Sequence, residues 1–143
     1  IQPGANQRMT TWFCAWLTLF ACGCGRIFDG TPAQLHASLT RLASLPDDTL
    51  VYCSHEYTLS NQQFAGQIEP DNAALSARRL RDQARRAAGL PTVPSRMAEE
   101  RQTNPFLRVE QPAVRRALAD AGYAPLDTRL QAFTALREWK NRF

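Results

Sequence analysis

Chemistry has few places to start in this chain, because it holds only two histidines, His36 and His55. His55 stands in Cys53-Ser54-His55-Glu56-Tyr57-Thr58, directly after Thr49-Leu50-Val51-Tyr52. That apolar, partly β-branched run predicts a strand, and strand ends are where α/β enzymes place metal ligands and catalytic groups. His55 is therefore a candidate metal ligand through a neutral imidazole nitrogen; the alternative is a histidine satisfied by a backbone carbonyl. A catalytic zinc takes about three protein ligands. Cys22, Cys24 and Cys53 are the available sulfur donors, but a CxC pair without a second pair is a weak zinc signal, so they read as structural thiols.

A second segment, Gly23-Cys24-Gly25-Arg26-Ile27-Phe28-Asp29-Gly30-Thr31-Pro32, is a glycine-rich turn that carries one cation and one aromatic ring into a helix start. At the other end of the chain, Arg137 and Lys140 lie at i and i+3 of a predicted helix, so they project from adjoining turns toward one region. Two converging cations suit a carboxylate. The alternatives are a solvated turn arginine for Arg26 and, for the pair, a basic helix end favoured by the macrodipole. Arg78, Arg79, Arg81, Arg85 and Arg86 raise the question of nucleic acid, but Asp82 and Gln83 interrupt them, and no binding motif or aromatic interleaving accompanies them. A solvated helix face is the preferred reading, with no nucleic-acid partner. His36, beside Leu35, reads as a partly exposed surface residue.

Positioning these groups requires strands early and helices late. Residues 17–21 and 49–53 have strand length and character. Between them lies a helix with Thr31 as N-cap, Pro32 at its first position, Gln34 closing a capping box, and Leu35, Leu39 and Leu42 on one face. Strand, helix, strand in this order suits a crossover between parallel strands. From Glu69-Pro70-Asp71 onward helical patterns take over. Ala73, Ala77, Leu80 and Ala84 recur at steps of three and four until Gly89 and Pro91; residues 91–95 read as a linker and 97–100 as a short helical turn. A helix over 112–121 ends at Gly122, and a last one from 127 or 128 buries Leu130, Phe133 and Leu136. Residues 1–16 have neither period and read as foreign to the fold.

With 143 residues the chain allows one domain or a small domain with an appendage. Its net charge of +4 favours anionic partners in general. The four cysteines, Cys14, Cys22, Cys24 and Cys53, read as free thiols in a chain large enough to need no stapling. The longest apolar stretch, residues 12–22, is too short to span a bilayer and reads as a buried strand rather than a signal segment. No membrane association and a cytoplasmic location are expected.

The HEYT segment and the glycine turn, with Glu69-Pro70-Asp71-Asn72, Gly89-Leu90-Pro91-Thr92-Val93-Pro94-Ser95, Asn104-Pro105-Phe106-Leu107-Arg108 and Leu136-Arg137-Glu138-Trp139-Lys140-Asn141-Arg142-Phe143, occur in the order found in glyoxalase II. The chain resembles this family, the hydroxyacylglutathione hydrolases of the metallo-β-lactamase superfamily, over residues 17–143. The resemblance implies an α+β fold: an unmatched leader 1–16, the C-terminal portion of a metallo-β-lactamase αββα sandwich over 17–66, and an all-helical C-terminal domain over 67–143. It implies hydrolysis of S-D-lactoylglutathione to glutathione and D-lactate at a binuclear zinc site. His55 would be a metal ligand, and Arg26, Phe28, Tyr57, Arg137 and Lys140 would hold glutathione. Phe28 stands where tyrosine is common, which keeps the packing surface and drops a hydroxyl. The family's HxHxDH cluster has no counterpart here, and Leu17 stands where the family carries a bridging aspartate. The expectation is a chain inactive alone, with self-association through an exposed sheet. The alternatives are a non-catalytic glutathione-conjugate binding module and a persulfide dioxygenase-like relative; the helical extension from residue 69 favours glyoxalase II.

Overall fold

The computed structural model describes residues 12–15, 18–27 and 30–143, the first four by backbone alone. It is a mixed fold of helices and small sheets. In chain order the elements are β1 (Trp12–Ala15), β2 (Leu19–Phe20), β3 (Gly23–Cys24), α1 (Pro32–Ala43), β4 (Leu50–Cys53), α2 (Thr58–Ile68), α3 (Ala73–Ala87), β5 (Ser95–Arg96), α4 (Met97–Thr103), a 3-10 turn (Pro105–Leu107), α5 (Pro112–Asp120) and α6 (Arg129–Arg142). Among the described residues, no helix is long and apolar enough to cross a membrane.

One sheet has the order β1-β4-β5, with β1 parallel to β4 and β5 antiparallel to it. The expected parallel pair exists, but the partner of β4 is Trp12–Ala15, in register Trp12↔Leu50 to Ala15↔Cys53. That strand lies within residues 1–16 and at the start of the 12–22 stretch read as a buried strand. Residues 19 and 20 instead turn back at once: β2 pairs antiparallel with β3, Leu19↔Cys24 and Phe20↔Gly23. Cys22 makes the turn at φ 62°, a left-handed conformation that costs a non-glycine residue on the order of 1–3 kcal/mol. Leu17 lies outside the described residues.

The capping box of α1 forms as read: Gln34 N–H donates to Thr31 Oγ1 (3.3 Å), and Thr31 N–H donates to Gln34 Oε1 (3.0 Å). Leu39 is buried and Leu35 and Leu42 pack against the same core. α6 carries a second capping box, Thr128 with Gln131. Phe133 and Leu136 are buried there, but Leu130 is 37% exposed and stands outside the core. Helix α2 was not legible as a helix because its inward positions are Thr58, Asn61, Gln62, Phe64, Ala65 and Ile68, a helical period written half in polar residues.

The stripe expected to pack α3 faces the wrong way. Ala73, Ala77 and Ala84 are exposed and Leu80 is 71% exposed. The inward face is Leu75, Arg78 and Asp82. Arg78, taken as one of a solvated series, is buried and donates to Glu100 Oε1 (2.7 Å) and Thr103 Oγ1 (2.8 Å), with Asp82 and Glu99 beside it. Burial alone would lower the Arg78 pKa; Glu100 and its neighbouring anions outweigh that and raise it. The rest of the series behaves differently: Arg81 pairs with Glu99, while Arg85 and Arg86 donate to the carbonyls of Pro91 and Leu90. One hydrophobic core joins Leu19, Leu39 and Val51 to Phe64, Phe106, Val114, Phe133 and Leu136, so early and late segments share it.

Candidate functional site

Five of the sequence-predicted site residues come together. Arg26, His55, Tyr57, Arg137 and Lys140 line one cleft of about 500 Å³. Phe28 lies outside the described residues. The five arrive from three local arrangements. The β2–β3 hairpin ends at Arg26; the turn after β4 carries His55 and Tyr57; α6 presents Arg137 and Lys140 from adjoining turns. Phe20, Cys24, Gly25, Ser60 and Asn61 complete the lining. Of these, Ser60 and Asn61 belong to the helix that the sequence concealed, and Phe20 is positioned by the tight hairpin.

The two rings of the HEYT turn stack, His55 on Tyr57 at 4.9 Å and 17°, and Phe20 leans on Tyr57 at 5.5 Å. Glu56, between them, is tied elsewhere: the Thr92 N–H donates to its Oε1 (2.5 Å), and the Thr92 hydroxyl lies within 2.9 Å of both carboxylate oxygens. This clamp fixes the turn, so that an apolar ring surface with the Tyr57 hydroxyl forms one side of the cleft.

The cleft also carries cations. Arg137 is only 4% exposed. One nitrogen, Nη1, donates to the carbonyls of Cys24 (2.8 Å) and Gly25 (3.2 Å), Nη2 donates to Asn141 Oδ1 (3.1 Å), and the guanidinium lies 5.2 Å from the Phe106 ring centre. Among the described residues its buried Nε has no hydrogen-bond partner. Lys140 is half-buried, with Nζ 5.5 Å from the Phe64 ring centre and 5.2 Å from that of Phe143. Burial, together with the charges of Arg137 and Arg26, holds the Lys140 ammonium below the ordinary lysine range. A cation destabilised by its like-charged neighbours gains most from an incoming anion. The Cys24 thiol, pushed up to about 11 by burial against the opposing pull of Arg137, is neutral and is no nucleophile. The cleft therefore offers cations, one phenol and an aromatic wall, which suits a carboxylate-bearing ligand with an organic body.

Residues 56–143 match the family described as "Hydroxyacylglutathione hydrolase C-terminus". The chain belongs to this family. Similar proteins named hydroxyacylglutathione hydrolase occur in Cupriavidus taiwanensis (57% identical over 126 residues, 88% of this chain and 47% of the relative), Alkalilimnicola ehrlichii (56% over 124 residues, 87% and 48%) and Aeromonas hydrophila subsp. hydrophila (53% over 126 residues, 88% and 50%). The chain spans about half the length of the curated relatives it matches.

The zinc expectation can be tested on the donor set. Among the described residues, no group of three or more His, Cys, Asp or Glu side chains is placed to hold a metal ion. Cys22 is directed to the Thr103 carbonyl (3.4 Å), and burial pushes the Cys22 and Cys53 thiols up to about 12. His55 remains a single exposed imidazole at a strand end. These residues do not by themselves fit a zinc site. His36 is partly exposed, as expected; it rests on Phe133 at 4.9 Å, and burial lowers its pKa.

Proposed function

We propose that this chain carries the glutathione-recognition part of a hydroxyacylglutathione hydrolase, acting on S-D-lactoylglutathione. One observation supports the reading above others: Arg26, Tyr57, Arg137 and Lys140, distant in sequence, line a single cleft. Lys140, held in the cleft by its ring contacts, takes the ligand's terminal carboxylate, and Arg26 and Arg137 add positive potential. Tyr57 orients the peptide groups. In the reaction proposed for the whole enzyme, water adds to the thioester carbonyl, the C–S bond breaks, and glutathione and D-lactate leave. His55 is a ligand position for the zinc of that enzyme. One imidazole does not make a zinc site, so the part that falls to these residues is binding and orientation of the substrate.

The fold assignment that goes with this reading is that β1, α1 and β4 form part of a metallo-β-lactamase αββα sandwich, with the helical domain beginning at residue 67. The parallel β1–β4 pair supports it. We also propose a cytoplasmic location, and self-association through β1, the terminal strand of its sheet. The decisive assay is S-D-lactoylglutathione hydrolysis by the 143-residue chain, with and without added zinc, beside calorimetry with glutathione. Binding without turnover is the expected outcome; metal-dependent turnover by this chain would overturn the reading of it as recognition part alone.

A further inference from the structure

Residues 20–25 bring Phe20, Cys24 and Gly25 to the cleft and lead into Arg26, and much of their hydrogen bonding goes to side chains far away in sequence. The carbonyls of Phe20 and Gly23 accept from Asn104 Nδ2 (3.4 and 2.9 Å), that of Ala21 from Asn61 Nδ2 (3.2 Å), and those of Cys24 and Gly25 from Arg137. The Cys22 N–H donates to Glu100 Oε2 (3.0 Å). β2 and β3 supply only two residues each, and Cys22 between them holds a left-handed backbone. So short a hairpin has little to fix its own position. Gly23 belongs to the same fit, since a Cβ there would lie 2.7 Å from the Asn61 side chain.

Asn104 is the centre of this arrangement. It is fully buried, and its two amide ends cannot be exchanged. Oδ1 accepts from the Phe106 N–H (3.0 Å), while Nδ2 donates also to Glu100 Oε2 (3.1 Å). A flipped amide would set its oxygen against two carbonyls and a carboxylate. Asn104 thus couples the hairpin to the end of α4 and, through Glu100, to Arg78 on α3.

We propose that Asn104 is a positioning residue for the cleft: it sets residues 20–25, and hence Arg26, at the cleft that Tyr57 and Lys140 also line, without lining it itself. As far as it concerns glutathione, the proposal rests on the function proposed for the cleft; the placement of residues 20–25 does not. Two measurements test it. In the wild-type chain, hydrogen exchange at the Cys22 and Gly25 amides should be protected to within about tenfold of the Asn104 amide of α4, since hairpin and helix open together. In Asn104→Asp, which keeps the acceptor and reverses the donor, alkylation of Cys22 and Cys24 should rise about tenfold or more, with helical circular dichroism retained and glutathione affinity reduced by a similar factor.

Hairpin amides exchanging far faster than α4 would overturn the proposal, as would a folded Asn104→Asp chain whose thiols stay protected or whose glutathione affinity is unchanged. If the variant fails to fold, the wild-type exchange decides by itself. If wild type does not bind glutathione while Asn104→Asp exposes both thiols, the positioning role stands and the glutathione reading falls.

Discussion

Lys140 and Arg137 come from adjoining turns of α6 but do different work. Arg137 spends its guanidinium on the hairpin carbonyls, whereas Lys140 rests on ring faces with its ammonium in the cleft. Lys140→Ala should therefore weaken glutathione binding about tenfold or more in calorimetry while leaving thermal unfolding nearly unchanged. Arg137→Lys should do the reverse in part: a single ammonium cannot bridge Cys24 O, Gly25 O and Asn141 as the planar fork does, and urea unfolding should show a loss of about 1–3 kcal/mol. The lowered Lys140 pKa gives the sign of the pH dependence. The ammonium loses its proton at a lower pH than an exposed lysine, and the neutral amine cannot hold a carboxylate. Affinity for S-methylglutathione, which has no thiol to titrate, should fall as pH rises, beginning below the ordinary lysine pKa of about 10.4. The identities of these cations were legible in the sequence through their motifs. The burial of Arg137 under Phe106 was not, because a basic residue near a helix end reads as solvated.

At the scale of elements, the sequence was clear where apolar residues mark the inner face or a capping box marks a start, as in α1. It misled where a helix is turned by its charges. The alanine stripe of α3 has helical spacing, yet Arg78 and Asp82 face inward because Glu100, Thr103 and Gln62 offer them partners. Such partners are far away in the chain and leave no local pattern. α2 was concealed for the same reason, since Gln62 and Asn61 find their partners in Asp82 and the Ala21 carbonyl. A pair of substitutions separates the two views of α3. Glu100→Gln should cost about 3 kcal/mol or more in urea unfolding, because it leaves the Arg78 charge buried without its main counter-ion. Leu80→Ala should cost under about 0.5 kcal/mol. A core-facing Leu80 would instead cost about 2–5 kcal/mol.

Across the whole molecule, one core ties the early strands to the late helices; the Cys24 thiol lies in it, that of Cys53 packs against it, and that of Cys22 is buried in a second small cluster with Ala65 and Leu75. Their burial has a consequence for stability. Cys22, Cys24 and Cys53 have folded-state values raised to about 12, 11 and 12 from an ordinary 9.0. Above pH 9 the unfolded chain releases these protons while the folded chain keeps them, so stability is full below that pH and falls progressively toward pH 11. Urea midpoints on either side of pH 9 should show this, and replacing the three cysteines by alanine should flatten the fall. The pairing of the early strand Trp12–Ala15, at the start of the stretch read as a buried strand, was not legible because a strand's partner, here β4, is set by the whole fold and not by its own four residues.

The proposed function depends on glutathione binding in the cleft between the hairpin, the HEYT turn and α6. A heteronuclear NMR titration of the 143-residue chain with glutathione tests it most directly. The expected result is a saturable set of amide shifts at Gly25, Arg26, Tyr57, Asn61 and Lys140, diminished in Lys140→Ala. Shifts absent from these residues, or confined to the exposed arginines of α3, would contradict it.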